Sequence, residues 1–399
     1  MDCLELRPNH LRAIRCQEPV TGLTHGFYRY PARFSPQLAS AVIEAFTEPG
    51  DLVLDPFCGG ATTLVEAAAA GRQAIGADIS PLAVFLARAK TVPLASRSRS
   101  VLRSWAQRSA RVNLRTPVAC HSEPWKQLGY QRHLNCRKTW PIRKSLELLL
   151  ERVHDLRAKR LRDFARCIIL RSGQWALDGR RSPPSAGAFR HRFLCFAEEM
   201  LDGMAEYVTA ARTNGPGLKH PRSFLLAAED LQSKSRLFSG RPPKLVLTSP
   251  PYPGVHVLYH RWQVAGRRET PAPFWIAGAL DGYGESHYTF GGRKSGFERV
   301  YFSSLRTTFG SLREISDRST LFVQVVGFSD SQRQLPRYLR ALRSIGLEEV
   351  IPAQAGRSRR RRVRRTVPNR RWYTNQPGDS RSAREIVLFH RLSGGGAGA

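Results

Sequence analysis

The sequence predicts an α/β protein on a doubly wound, mostly parallel sheet with a helical insertion. Three observations predict it. Short apolar runs alternate with helical segments over 35–94, the rhythm of a parallel sheet. Residues 95–220 break that rhythm with apolar side chains at helical spacing. Strand and helix patterns then resume and continue to about residue 392.

The elements follow in order. Pro36 to Phe46 is amphipathic, and Gly50-Asp51 ends it with a turn. Leu52-Val53-Leu54 reads as a strand, Thr62 to Ala70 as a helix and Ala74 to Ala77 as a second strand. Pro81 to Ala89 opens another helix, with Ser80 as its cap and Pro81 in the first turn, where a missing N–H costs nothing. Ser145 to Leu170 carries Leu146, Leu149, Leu150, Val153, Leu156, Leu161, Phe164 and Ile168 at roughly helical spacing. Ser182-Pro183-Pro184-Ser185 interrupts, and Ala186 to Arg212 resumes as helix. Strands are expected at 224–227, 245–247, 320–326 and 385–389, and helices at 303–315 and 335–344. The resulting divisions are 20–95, a basic helical insertion at 96–220, 221–392 with an arginine-rich connection at 357–371, and a Gly/Ala-rich, disordered tail at 393–399.

Sixty-three basic residues stand against 32 acidic ones, a formal charge of +31. Most of the excess is arginine, which grips phosphate bidentately and stacks on bases, so a nucleic-acid partner is expected. A GC-rich genome would favour arginine over lysine without explaining that imbalance. Seven cysteines show no paired framework, which fits a reducing, cytoplasmic setting. Cys120-His121 with His133 and Cys136 matches no common zinc spacing, so no metal is expected. No segment approaches the ~20 apolar residues of a membrane span, so no membrane partner is expected.

Two short runs carry the chemistry. Asp55-Pro56-Phe57-Cys58-Gly59-Gly60-Ala61-Thr62 reads as a strand end, a tight turn and a helix start, which together offer backbone N–H groups to a ligand. Glycines there allow close approach. Asp78 ends the next strand, where a carboxylate can accept ribose hydroxyls. Such turns also occur in other α/β folds, and Asp78 could instead cap a helix. The second run is Thr248-Ser249-Pro250-Pro251-Tyr252, which follows an apolar strand. Ser249 Oγ and the Pro250 carbonyl are two acceptors for an amino group, Pro250 and Pro251 stiffen the turn, and Tyr252 offers a face for an extruded base. By itself the run could be an ordinary turn. No Pro-Cys dipeptide is present, so a cysteine nucleophile is not expected.

Together these runs resemble the amino-group DNA methyltransferases. Residues 55–63 resemble the family's Asp-Pro-Phe-x-Gly-x-Gly-Thr-Thr cofactor motif, with Ala61 at the usual second glycine. His25 to Pro36, with Tyr30, Pro31 and Phe34, resembles the segment that closes over the methionine end of the cofactor. Gly76 to Leu82 resembles the ribose-binding strand end. The likeness covers about 20–95 and 222–392. It implies a seven-stranded class I S-adenosylmethionine-dependent methyltransferase fold. S-adenosyl-L-methionine would be held by Tyr30, Pro31, Phe34, Asp55, Pro56, Phe57, Gly59, Gly60, Thr62, Asp78 and Asp230, and DNA would be the substrate. Asp230 could equally be a solvated turn carboxylate. Ser at the first catalytic position leans toward cytosine N4 over adenine N6. His260 and Arg261 resemble a Tyr-x-His-Arg run that grips DNA, although the same stretch could be a helix packing Val257, Leu258 and Trp262 into the core. Arg360, Arg361, Arg362, Arg370 and Arg371 are expected to contact phosphate. A cognate restriction endonuclease stays open as a partner. So do a tRNA base amino methyltransferase and a nucleic-acid-binding protein on a degenerate methyltransferase fold.

Overall fold

The computed structural model describes residues 4–393 apart from 31–32, 112, 118–122, 218, 239, 254–260, 267, 282–288, 292–295, 355–360 and 368–382. The strands are β1 (Glu5–Leu6), β2 (Leu52–Asp55), β3 (Gln73–Asp78), β4 (Arg222–Leu225), β5 (Leu245–Thr248), β6 (Trp262–Val264), β7 (Arg268–Thr270), β8 (Leu321–Gly327), β9 (Leu347–Glu349), β10 (Ala353–Gln354), β11 (Val363–Val367) and β12 (Ala383–Leu392). The helices are α1 (Pro8–Ile14), α2 (Pro36–Phe46), α3 (Thr62–Ala69), α4 (Pro81–Thr91), α5 (Ser96–Ser109), α6 (Glu123–Gln127), α7 (Trp140–Arg152), α8 (Lys159–Leu177), α9 (Ala186–Asn214), α10 (Ala272–Ala277), α11 (Phe297–Glu314) and α12 (Ser331–Arg343).

The central sheet runs β11-β12-β8-β5-β2-β3-β4, and β9 also pairs with β12. Eight strands therefore occupy seven positions, because β11 and β9 share the outer edge of β12. From β4 to β8 all pairings are parallel, and β12 runs antiparallel to β8. Strand order reverses between β2 and β5, the switch point of a doubly wound sheet. This is the α/β architecture of the class I methyltransferases.

Local chemistry explains the elements near that point. Ser35 caps α2 by accepting from the Leu38 N–H at 3.3 Å, and Ser80 caps α4 by accepting from Ala83 at 3.4 Å. Both helices carry proline in the first turn. All four residues of β5 and all seven of β8 are buried, because helices cover both faces of a parallel sheet.

The insertion forms no separate core. Side chains of α5, α7, α8 and α9 share one apolar cluster with Tyr28, with Val65 of α3 and with Leu82 and Leu86 of α4. The expected single helix over 145–170 is two, α7 and α8, parted by a 3-10 turn at Val153–Asp155 and extended backbone at Ala158. Leu149, Val153, Leu156 and Phe164 line the same core on both sides of the break, so apolar spacing passes through it.

Other boundaries also moved. β4 lies at 222–225 instead of 224–227, because its pairing with β3 ends at Asp78↔Leu225. α11 starts six residues earlier than Ser303, since Tyr301 and Phe302 extend the buried stripe of Leu305, Phe309 and Leu312. The expected connection over 357–371 contains β11, an arginine-bearing edge strand. Charge is a common way to blunt such an edge. Trp262 is core, as one alternative held, but it sits in the β6–β7 ribbon and not in a helix. Among the described residues no helix is long and apolar enough to cross a membrane.

Candidate active site

The two motifs meet at the carboxyl ends of β2 and β5, on either side of the switch point. Asp55 ends β2, and its buried carboxylate faces inward. It accepts from Thr63 Oγ1 at 2.7 Å, from Thr248 Oγ1 at 2.7 Å and from the Phe57 N–H at 3.2 Å. Burial pushes its carboxyl up to about 6, although these hydrogen bonds act in the other direction. Asp55, expected among the residues that hold the cofactor, therefore ties the glycine turn to the catalytic strand with its carboxylate.

Gly59 has φ +40, and a Cβ there would stand 3.0 Å from Tyr30 Cε1; at Gly60 it would stand 3.2 Å from Tyr30 Cβ. The turn lies flat against Tyr30, and only glycine leaves that space. Asp78, at the end of β3, accepts from the Gly59 N–H at 2.9 Å and the Ser80 N–H at 2.8 Å. Desolvation raises its carboxyl to about 6 as well. Each of its oxygens takes one backbone donor and keeps acceptor capacity, so the half-buried carboxylate fits a ribose diol. Phe57 is half-buried and meets Phe290 edge to face, 5.6 Å between centroids. Asp230 is exposed, in a 3-10 segment beyond β4.

Not all expected cofactor contacts are presented to the crevice. Phe34 is buried in the core with Leu38, Cys58 and Ala61, beneath the turn. Thr62 is buried in the first turn of α3. Pro56 follows β2 in the turn. Pro31 lies outside the described residues. Ala61 caps α3 in the left-handed region, φ +62, where a side chain costs about 1–2 kcal/mol.

A residue missed in the sequence reading supports the turn from below. Lys90 of α4 is fully buried, and its Nζ donates to the Gly60 carbonyl at 2.7 Å. Burial, aided by Arg33, drops its ammonium to about 7. Nearby, His25 Nε2 meets Glu66 at 2.6 Å, and burial lowers the imidazole. Lys90 near the end of an apolar helix was the available signal.

On the catalytic side, Ser249 Oγ lies 3.0 Å from both the Val325 carbonyl and the Tyr252 hydroxyl. Tyr252 donates to Glu385 Oε1 at 2.9 Å. When the serine proton goes to Val325, its oxygen keeps lone pairs that can accept from an amino group. Among the described residues nothing donates to the Pro250 carbonyl, whereas Tyr301 donates to that of Pro251 at 2.8 Å. The Tyr252 ring packs against Gly327, where a Cβ would stand 2.9 Å from the ring. Glu385 and Gly327 face each other across β12 and β8, and both escaped the sequence reading. A lone acid heading the apolar run Ile386 to Phe389 was the signal for Glu385.

Of the expected DNA contacts, Arg261 is turned inward onto Asp281 at 2.9 Å, with both side chains largely buried. Arg362 holds Glu349 bidentately at 2.6 and 2.8 Å. Arg361 is exposed. His260, Arg360, Arg370 and Arg371 lie outside the described residues, as do Cys120 and His121.

The strand order is that of the class I methyltransferase fold, and the two motifs flank its switch point. Residues 11–88 match the family model N6_N4_Mtase, described as DNA methylase. The chain is 41% identical over 75 residues to the Type II methyltransferase M.MvaI of Kocuria varians, 18% of this chain and 16% of that protein. It is 39% identical over 66 residues to the Type II methyltransferase M.MjaII of Methanocaldococcus jannaschii, 16% of this chain and 12% of that protein. The matches span less than a fifth of either relative's length. Across that region the chain is similar to the DNA methylase family and to these two Type II methyltransferases. The solved rRNA methyltransferase aviRa from Streptomyces viridochromogenes overlays with TM-score 0.34 and 11% identity over 92% of this chain and 89% of that one, a likeness too loose to carry an argument.

Proposed function

We propose that the chain is an S-adenosylmethionine-dependent methyltransferase acting on an exocyclic amino group of a DNA base, leaning toward cytosine N4. The observation that carries this reading is the Asp55–Thr248 hydrogen bond of 2.7 Å. It fastens a glycine turn suited to a nucleoside cofactor beside a Ser-Pro-Pro-Tyr turn at one switch point, where α/β sheets bind ligands. The cofactor, when bound, supplies a sulfonium methyl group.

The chain's own residues would do the rest. Asp78 would take the ribose hydroxyls, beside the glycine turn that packs on Tyr30. A base amino nitrogen is a poor nucleophile because its lone pair is delocalised into the ring. Ser249 Oγ and the Pro250 carbonyl, accepting from the two amino hydrogens, would draw that lone pair out of plane. Tyr252 would stack on the extruded base. Its hydroxyl is held by Glu385 and its ring by Gly327, so the stacking face is set before the base arrives.

The test is transfer of labelled methyl from S-adenosylmethionine to duplex DNA and, in parallel, to tRNA, with Ser249→Ala and Tyr252→Ala as controls. Label in DNA that is lost in both variants supports the reading. Cofactor binding with no label in any DNA would falsify it, and label in tRNA alone would move the substrate to RNA. Hydrolysis and nucleoside analysis of labelled DNA separates N4-methylcytosine from N6-methyladenine.

A further inference from the structure

The carboxyl edge of the sheet holds a second feature beside the catalytic turn. A cavity of about 630 Å³ lies between the N-terminal arm, the Tyr30 segment, the end of α8 and β11. Its charged lining is Arg29, Arg33 and Arg365 against Glu18 and Asp178. Tyr30, which packs on the glycine turn, forms part of the same wall.

Arg365 is the unusual member. It is only 6% exposed, yet its Nε and Nη1 have no hydrogen-bond partner among the described residues. Its cross-strand neighbour is Glu385, whose Oε2 is 3.7 Å from Arg365 Nε, a charge contact without a hydrogen bond. That Oε2 is unsatisfied too. A buried guanidinium with bare N–H groups carries a desolvation cost that a hydrogen-bonded anion offsets. The register places it well. Arg365 and Val367 alternate with exposed Arg364, and both line the cavity. Glu385 stands opposite Gly327 at the carboxyl end of β8, so Arg365 lies level with the Ser249 turn.

The other charges divide cleanly. Arg33 Nη1 donates to the His25 and Tyr28 carbonyls at 2.8 and 3.2 Å, which fixes its direction. Arg29 has an exposed side chain on backbone anchored by Gln174. Asp178 accepts from the Gln263 N–H at 3.0 Å, and burial raises its carboxyl. Glu18 is exposed. Three arginines thus line the cavity, Arg33 engaged with backbone carbonyls, while the one partly buried acid of the lining also accepts from backbone.

We propose that this cavity is a phosphate-binding subsite, with Arg365 and Arg29 gripping a backbone phosphate of the nucleic-acid strand whose base enters the Ser249–Tyr252 turn. The assignment rests on the function proposed above. It also links binding to catalysis, because Arg365 reaches Tyr252 through Glu385. A phosphate drawing on the guanidinium loosens its hold on Glu385, which in turn holds the Tyr252 hydroxyl.

The full chain is titrated with a fluorescent duplex at several salt concentrations, comparing wild type with Arg365→Gln, Arg29→Gln and the double variant. Cofactor affinity and thermal melting report folding. Each variant is expected to make the slope of log affinity against log salt shallower, and the double variant by about 0.9, the loss of the one phosphate contact the two arginines share, with cofactor affinity unchanged. Arg29 is exposed, so its variant keeps the test alive if Arg365→Gln does not fold. Methylation of DNA with unchanged slopes in folded variants overturns the subsite and leaves the proposed function standing. No DNA binding by the wild type overturns both. Calorimetry with inorganic phosphate forms a further arm: saturable binding lost in Arg365→Gln, with DNA slopes unaltered, assigns the cavity to a free anion and overturns the strand assignment.

Discussion

Thr248 donates to Asp55 at 2.7 Å across 193 positions of chain, and this bond joins the two motifs, with Thr63 also donating to the Leu247 carbonyl at 3.3 Å. Asp55 also accepts from Thr63 at the start of α3, so one buried carboxylate holds strand end, helix start and catalytic strand together. Hydrogen bonds to a charged group contribute about 1.5–3 kcal/mol each. Thr248→Val is therefore expected to lower unfolding free energy by that order, measured by chemical denaturation. A double-mutant cycle with Asp55→Asn should show coupling above about 0.5 kcal/mol. Additive losses would mean the bond does not join the motifs energetically.

Asp55 and Asp78 also set a pH dependence. Both carboxyls are raised to about 6 from a usual value of 3.8. A raised acid holds its proton in the folded state, so its contribution is full below the unfolded pKa and is lost as pH rises through the folded one. Their share of stability is expected to fall between about pH 4 and pH 6. Asp55→Asn should flatten that part of the denaturation-against-pH curve, and an unchanged curve would remove Asp55 as its source.

Lys90 acts with the opposite sense in a separate window. Its ammonium is lowered from 10.5 to about 7, so the neutral amine suits the folded state. Its contribution is present above pH 10.5 and is lost as pH falls through about 7. Between those values stability should rise with pH by up to about 1.4 kcal/mol per unit for one proton. Lys90→Met should abolish this rise. It should also raise the cofactor KM, because the Gly60 carbonyl loses its donor. Equal slopes in the two proteins would show that Lys90 is charged when buried.

Gly327→Ala tests the seat of Tyr252. The new Cβ would stand 2.9 Å from the ring, and overpacking of this kind costs about 1–3 kcal/mol. Methyl transfer is expected to fall at least tenfold while cofactor affinity stays within twofold. Wild-type turnover in this variant would mean the ring position is unimportant. Tyr252→Phe keeps the ring and loses the hold of Glu385, so it should reduce kcat more than DNA affinity.

Ala61→Gly addresses the departure from the glycine pattern. The left-handed φ of +62 costs alanine about 1–2 kcal/mol, and glycine's extra unfolded-state entropy returns about 0.4–1 kcal/mol of that. The variant is expected to melt at the same temperature or slightly higher. A clear loss of stability would show that the buried methyl's packing outweighs its strain.

Much of this fold was legible because its signals are local. Pro36, Ser80 and Pro81 mark helix starts, and the run Leu52 to Asp55 fills a strand buried on both faces. The likeness of residues 55–63 and 249–252 to known motifs gave the site its two halves. Edge elements were less legible. β11 carries Arg364 and Arg365 where a strand pattern calls for apolar residues, and the break between α7 and α8 leaves the apolar spacing intact. Contacts across the chain were not legible at all. Asp55 read only as a strand-end member of the cofactor motif, since no local signal says that its side chain turns inward to Thr248.

The sequence by itself determined the sheet's alternating architecture, the excess of arginine and the two motif strings, because periodicity, capping and turn chemistry act over a few residues. Only the tertiary structure decided which arginines are committed inward, Arg261 to Asp281 and Arg362 to Glu349, and that Arg365 is buried with two donors unpaired among the described residues. It also decided that Lys90, Glu385 and Gly327 support the site. Those assignments depend on burial and pairing between distant strands, and desolvation, which governs the cost of each charge, exists only once the chain has folded.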